Sequence, residues 1–86
     1  MLHLSKVNNI RNTALIIAFG IHVRKLRKEK GLTMEKLAEL ADIDYRQIAY
    51  IEKGETNVTI STIYALSNAL ELPMVDLLRF EVKVSK

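Results

Sequence analysis

The residues with the densest chemistry lie in the run Asp44-Tyr45-Arg46-Gln47-Ile48-Ala49-Tyr50-Ile51-Glu52-Lys53. Projected as a helix at about 100° per residue, Ile48, Ile51 and Glu52 fall on one side. Arg46, Tyr50 and Lys53 fall on the other, with Tyr45 and Ala49 along one edge of that outer face and Gln47 along the opposite edge. A guanidinium, a phenol, an amide and an ammonium therefore share one face around a small residue. Such a set suits the edges of nucleic-acid bases. Arginine pairs bidentately with guanine and glutamine with adenine, while alanine permits close approach and can touch a thymine methyl. The plain alternative is a solvated helix face.

Two charges stand where apolar side chains would be expected. Glu52 shares the apolar side with Ile48, and Arg27 shares a stripe with Val23 and Leu26. An unpaired buried charge is very costly, so an Arg27–Glu52 salt bridge is expected, with the structural role of fixing one helix against another. A catalytic role for Glu52 would need a second acid, a nucleophile or a histidine beside it, and none accompanies it. No nucleophile–base pair, metal cluster or phosphate loop is visible, so neither an enzyme nor a cofactor is expected. The absence of cysteine excludes disulfides and thiolate metal sites and fits a reducing cytoplasm. His3 and His22 are too few and too far apart to make a metal site unaided.

The elements that must hold this face can be read from periodicity and punctuation. Residues 12–30 read as a first helix, with Ile16, Phe19, Val23 and Leu26 on one face and Gly31 as its stop. Thr33 reads as the N-cap of a short second helix through Ala41, with Leu37, Ala38 and Ala41 inward. Asp42 and Ile43 make a tight turn. Asp44 caps a third helix, 45–53, and Gln47 is placed to reach back as in a capping box; Gly54 stops it. A loop, 55–58, leads to Thr59, the cap of a fourth helix striped with Ile63, Leu66 and Leu70. Pro73 suits the first turn of a fifth helix containing Val75, Leu77 and Leu78. Residues 80–84 alternate apolar and polar, which is a strand pattern. The expectation is an all-α domain of five helices over residues 13–80. A short N-terminal extension, 1–12, precedes it, and a tail, 81–86, follows, with the strand spanning the junction. Helices this short must bury their stripes against one another to be stable.

The chain has 86 residues, enough for one small domain, and a net charge of +3. That balance favours an acidic partner without identifying one. The cluster Arg24, Lys25, Arg27, Lys28 and Lys30 reads first as a solvated helix end, where cations are favoured. The longest apolar run, 14–21, is far short of the roughly 20 residues of a membrane span. It passes into the basic cluster with no small-residue cleavage site, so neither a membrane segment nor a secretory leader is expected. The second and third helices, joined by Asp42-Ile43-Asp44, make a helix-turn-helix, a unit that can seat its second helix in a major groove. Helix starts at Thr33, Asp44 and Thr59 could receive phosphate through free amides; each cap satisfying its own helix is the simpler role, and Asp44 would repel a phosphate.

At these residues the chain resembles a known family. Phe19-Gly20, Val23-Arg24, Leu26-Arg27, Gly31-Leu32-Thr33, Leu37-Ala38, Ala41, Ile48, Ile51-Glu52-Lys53-Gly54, Ile63, Leu66 and Ala69-Leu70 are similar to the XRE family of phage repressor, Cro and restriction-controller proteins. The resemblance covers residues 19–78. It implies the five-helix lambda repressor-like fold and sequence-specific DNA binding as a homodimer, with the third helix in the major groove, in the service of transcriptional regulation. By position it implies base contacts from Tyr45, Arg46, Ala49 and Tyr50, to which the face reading adds Gln47. It implies phosphate contact by Lys53, and places Asn57, Thr59 and Thr62 near the DNA backbone. Two departures stand out. Met34 occupies a position where many members have a phosphate-touching glutamine, so that contact is either lost or replaced by Thr33 or Lys36. Asp42 replaces the usual turn glycine, and aspartate tolerates the left-handed region. The loop 55–60 is particularly like that of restriction controllers.

Leu15, Ile17 and Ile21 exceed what one inward stripe needs. They are either scattered surface hydrophobes or a contact with a second copy or with the chain's own tail. The tail strand could pair with its twofold mate. Half-sites for such a dimer should lie about one helical turn apart, roughly 34 Å. The expected partner is double-stranded DNA, with no small-molecule ligand evident. The rival reading is a protein-interaction module, an antitoxin or adaptor that kept this fold without its DNA role.

Overall fold

The computed structural model describes residues 10–82. Four α-helices follow one another: α1 (Thr13–Glu29), α2 (Met34–Ala41), α3 (Tyr45–Glu52) and α4 (Ile60–Leu70), with a 3-10 segment, Met74–Leu78, after them. α1 is the spine. It packs on α3 and on the 3-10 segment, while α2 packs between α3 and α4. Each helix starts on a side-chain cap: Asn12, Thr33, Asp44 and Thr59 accept from backbone N–H groups of the first turn, meeting donors the helix itself leaves unpaired.

The core is continuous. Phe19 and Val23 of α1, Leu37 of α2, Ile48 and Ile51 of α3, Leu66 and Leu70 of α4, and Leu77 form one buried cluster. Burial of each such side chain contributes about 1.5–3 kcal/mol. Met34 also packs against this cluster, which gives a physical reason for an apolar residue at that position. Leu15, Ile17 and Ile21 remain exposed on α1.

Two expectations at the C-terminal end are corrected. The fifth α-helix is a five-residue 3-10 segment instead. Pro73 supplies no side-chain cap, and only Leu77 of its apolar residues is buried, with Val75 and Leu78 outside. One anchor does not sustain a longer helix. The strand is absent as well: among the described residues there is none, and 80–82 are irregular. Phe80 turns inward instead of alternating. Its N–H bonds the Leu78 carbonyl at 3.1 Å, and its ring lies 5.2 Å from that of His22 and 6.3 Å from that of Phe19. The His22 Nε2–H donates to the Asp76 carbonyl at 2.7 Å, tying the segment to α1. Lys83, Val84 and the rest of the expected tail, like residues 1–9 of the expected extension, lie outside the described residues.

Candidate nucleic-acid interface

The turn between α2 and α3 is built by one unusual residue. Asp42 sits in the left-handed region at φ 58° and ψ 46°. Its N–H bonds the Glu39 carbonyl at 3.2 Å, and the N–H of Ile43 reaches back to Ala38 at 3.0 Å. The chain thus reverses in three residues, and Asp44 opens α3 at once. The expected capping box does not form. Asp44 Oδ1 accepts from the N–H of Arg46 at 2.7 Å, and among the described residues the Gln47 side chain makes no hydrogen bond, leaving its amide outward.

α3 is locked from behind. Arg27 Nε donates to Glu52 Oε2 at 2.7 Å, Nη2 donates to Oε1 at 2.9 Å, and Nη1 donates to the Leu32 carbonyl at 2.8 Å. Both side chains of the pair are almost fully covered, so charge-assisted bidentate geometry operates with little solvent screening. The hydrogen bond to Glu52 raises the Arg27 pKa beyond its ordinary range, against the opposing effect of burial. A second lock is steric. A side chain at Gly20 would collide with the Ile51 carbonyl oxygen and stand 3.1 Å from that of Glu52. α1 and α3 therefore touch backbone to backbone. The sequence carried a signal for this, a lone glycine inside a long helix, where it costs about 1 kcal/mol relative to alanine.

With Ile48 and Ile51 buried, Tyr45, Arg46, Gln47, Tyr50 and Lys53 are exposed on the far side, with Ala49 half-buried among them. Arg46 leans back toward the helix start, its Nε and Nη2 each 3.3 Å from an oxygen of Asp44. That pairing lowers the pKa of Asp44 and raises that of Arg46. The other singled-out positions sit elsewhere. Thr33 and Lys36 are exposed on the first turn of α2, where Thr33 Oγ1 accepts from the Lys36 N–H at 3.0 Å. Thr59 and Thr62 open α4, Thr59 Oγ1 accepting from the Thr62 N–H at 3.2 Å. Asn57, in the preceding loop, is exposed and donates to the Ile10 carbonyl at 3.5 Å. The hydroxyls of Thr33 and Thr59 are thus engaged as caps.

Comparison with known proteins agrees with this architecture. A helix-turn-helix family model, HTH_3, matches residues 23–77. The chain is 39% identical over 74 residues to control protein C.BamHI of Bacillus amyloliquefaciens, covering 85% of each chain. It is 34% identical over 58 residues to an uncharacterized HTH-type transcriptional regulator, y4dJ, of Sinorhizobium fredii, covering 67% of this chain and 75% of that one. Among solved structures it is similar to the restriction-modification controller protein C.AhdI of Aeromonas hydrophila, with a TM-score of 0.71 and 35% identity, covering 77% of this chain and 98% of that one. The chain belongs to the HTH_3 family, the XRE-type helix-turn-helix proteins.

Proposed function

We propose that this protein is a sequence-specific DNA-binding transcriptional regulator, a controller or repressor rather than an enzyme, that binds its operator as a homodimer. The observation that carries the reading is the α3 outer face, where Tyr45, Arg46, Gln47 and Tyr50 stand exposed around Ala49 on a helix fixed from behind by Arg27–Glu52 and by Gly20. These five residues read base edges. Lys53, Thr33, Lys36, Asn57, Thr59 and Thr62 contact the phosphate backbone, which supplies affinity without sequence information. The binding unit is residues 13–80. The relatives named as transcriptional regulators and control proteins support the same role. No helix among the described residues is long and apolar enough to cross a membrane, in keeping with a cytoplasmic site of action.

Selection from a random duplex library at two salt concentrations tests this. The expected result is an enriched inverted repeat that persists at the higher salt. Weak binding with no enrichment, lost at moderate salt, would leave only phosphate attraction and would point to a protein partner instead.

A further inference from the structure

Arg46 pairs with the residue that caps its own helix. Its Nε lies 3.3 Å from Oδ1 of Asp44 and its Nη2 lies 3.3 Å from Oδ2. The same Oδ1 caps α3 by accepting from the Arg46 N–H. One carboxylate therefore starts the helix and grips the guanidinium along its Nε–Nη2 edge. A guanidinium has five N–H groups in one rigid plane, and the grip uses two of them. The Nη1–Nη2 edge keeps a parallel pair of N–H groups, the arrangement that takes the O6 and N7 atoms of guanine.

We propose that Asp44 is a positioning and specificity-determining residue for base reading by Arg46, orienting the guanidinium so that its Nη1–Nη2 edge meets a guanine. The inference rests on the DNA-reading role proposed above. Its first support is geometric, the side-on grip that leaves the end-on pair available. Its second is location. Both side chains are exposed, 56% for Asp44 and 78% for Arg46, and ion pairs in that setting add little to folding. Its third is the effect on phosphate. A helix start normally attracts phosphate through its amides, but here a carboxylate occupies that place and repels it. Arg46 is thereby steered from backbone to base.

The test compares wild type, Asp44→Asn, Arg46→Ala and the double variant by selection on random duplex, then by titration on the selected duplex and on a scrambled one. Asparagine caps a helix as well as aspartate does, and thermal melting checks that each variant folds. Arg46→Ala identifies the base pair that Arg46 reads. Asp44→Asn is expected to lose about tenfold of the guanine preference at that base pair and to bind the scrambled duplex more tightly. In the Arg46→Ala background it should change the base profile no further. An Asp44→Asn profile equal to the wild type, at whatever affinity, would make Asp44 a helix cap alone and overturn the proposal while leaving DNA reading intact. An Arg46→Ala variant that keeps the wild-type profile overturns it too. A wild type that enriches no sequence overturns both readings.

Discussion

Arg27 joins α1 to the loop that follows it and to the last turn of α3. Removing its partner leaves a covered guanidinium with one carbonyl for company. Glu52→Ala should therefore destabilise the fold by about 3–5 kcal/mol, seen as a lower urea midpoint with an unchanged slope. A loss below about 1 kcal/mol would show that solvent reaches the pair. The pair was legible because two charges sat on apolar stripes. The Leu32 carbonyl was not, because a backbone acceptor leaves no mark in a sequence. Lys53, exposed at the end of α3, behaves differently. Lys53→Ala should weaken binding evenly across DNA sequences and reduce the salt slope by about one, and altered base preference would contradict a phosphate role. Asp44 adds an acid dependence. Its folded pKa lies below the ordinary aspartate value. Its contribution is full above that ordinary value and is lost as pH falls through the lowered one. The stability gap between wild type and Asp44→Ala should narrow in acid to that of a neutral cap, and a gap that did not change with pH would place the effect elsewhere.

α1 and α3 are positioned by the absence of a side chain. Alanine at Gly20 would improve helix propensity by about 1 kcal/mol, but its methyl meets backbone oxygens that cannot turn aside. Overpacking of this kind usually costs about 1–3 kcal/mol or more, so Gly20→Ala should lower the melting temperature. Gly31→Ala is the contrast: its φ of 72° is unfavourable for alanine, but nothing lies within 4 Å. It should cost only about 1–2 kcal/mol and leave DNA binding unchanged. Weakened DNA binding by folded Gly20→Ala alone would show that helix placement governs the reading face. Helix starts were legible from Thr33, Asp44 and Thr59 because capping chemistry is local. The end of α4 was less so, since Glu71 adopts φ 57° without being glycine. The 3-10 segment and the irregular course of residues 80–82 escaped for a related reason. Local alternation in 80–82 was outweighed by burial of Phe80 against His22 and Phe19.

For the molecule as a whole, the proposed homodimer fixes a distance. Two recognition helices related by a twofold axis must enter grooves about one turn apart. Inserting about five base pairs between half-sites should turn one half-site to the opposite side of the duplex and abolish joint occupancy, as read by titration of matched duplexes. Undiminished affinity for the expanded site would mean that each copy binds alone. Ile17 and Ile21 stand exposed one turn apart on α1, with Leu15 exposed on the opposite flank of its buried stripe; we propose the first two as the contact of that homodimer, and the excess of all three was visible as residues beyond the needs of one stripe. The division of labour across α3 has a consequence for how such a protein diversifies. Ile48, Ile51 and Glu52 hold the scaffold, while Tyr45, Arg46, Gln47 and Tyr50 stand outside it. Exposed positions of this kind usually tolerate replacement within about 0.5 kcal/mol. On the proposed reading of α3, the address this protein recognises can therefore drift by substitution on one side of a single helix while the architecture beneath is inherited unchanged.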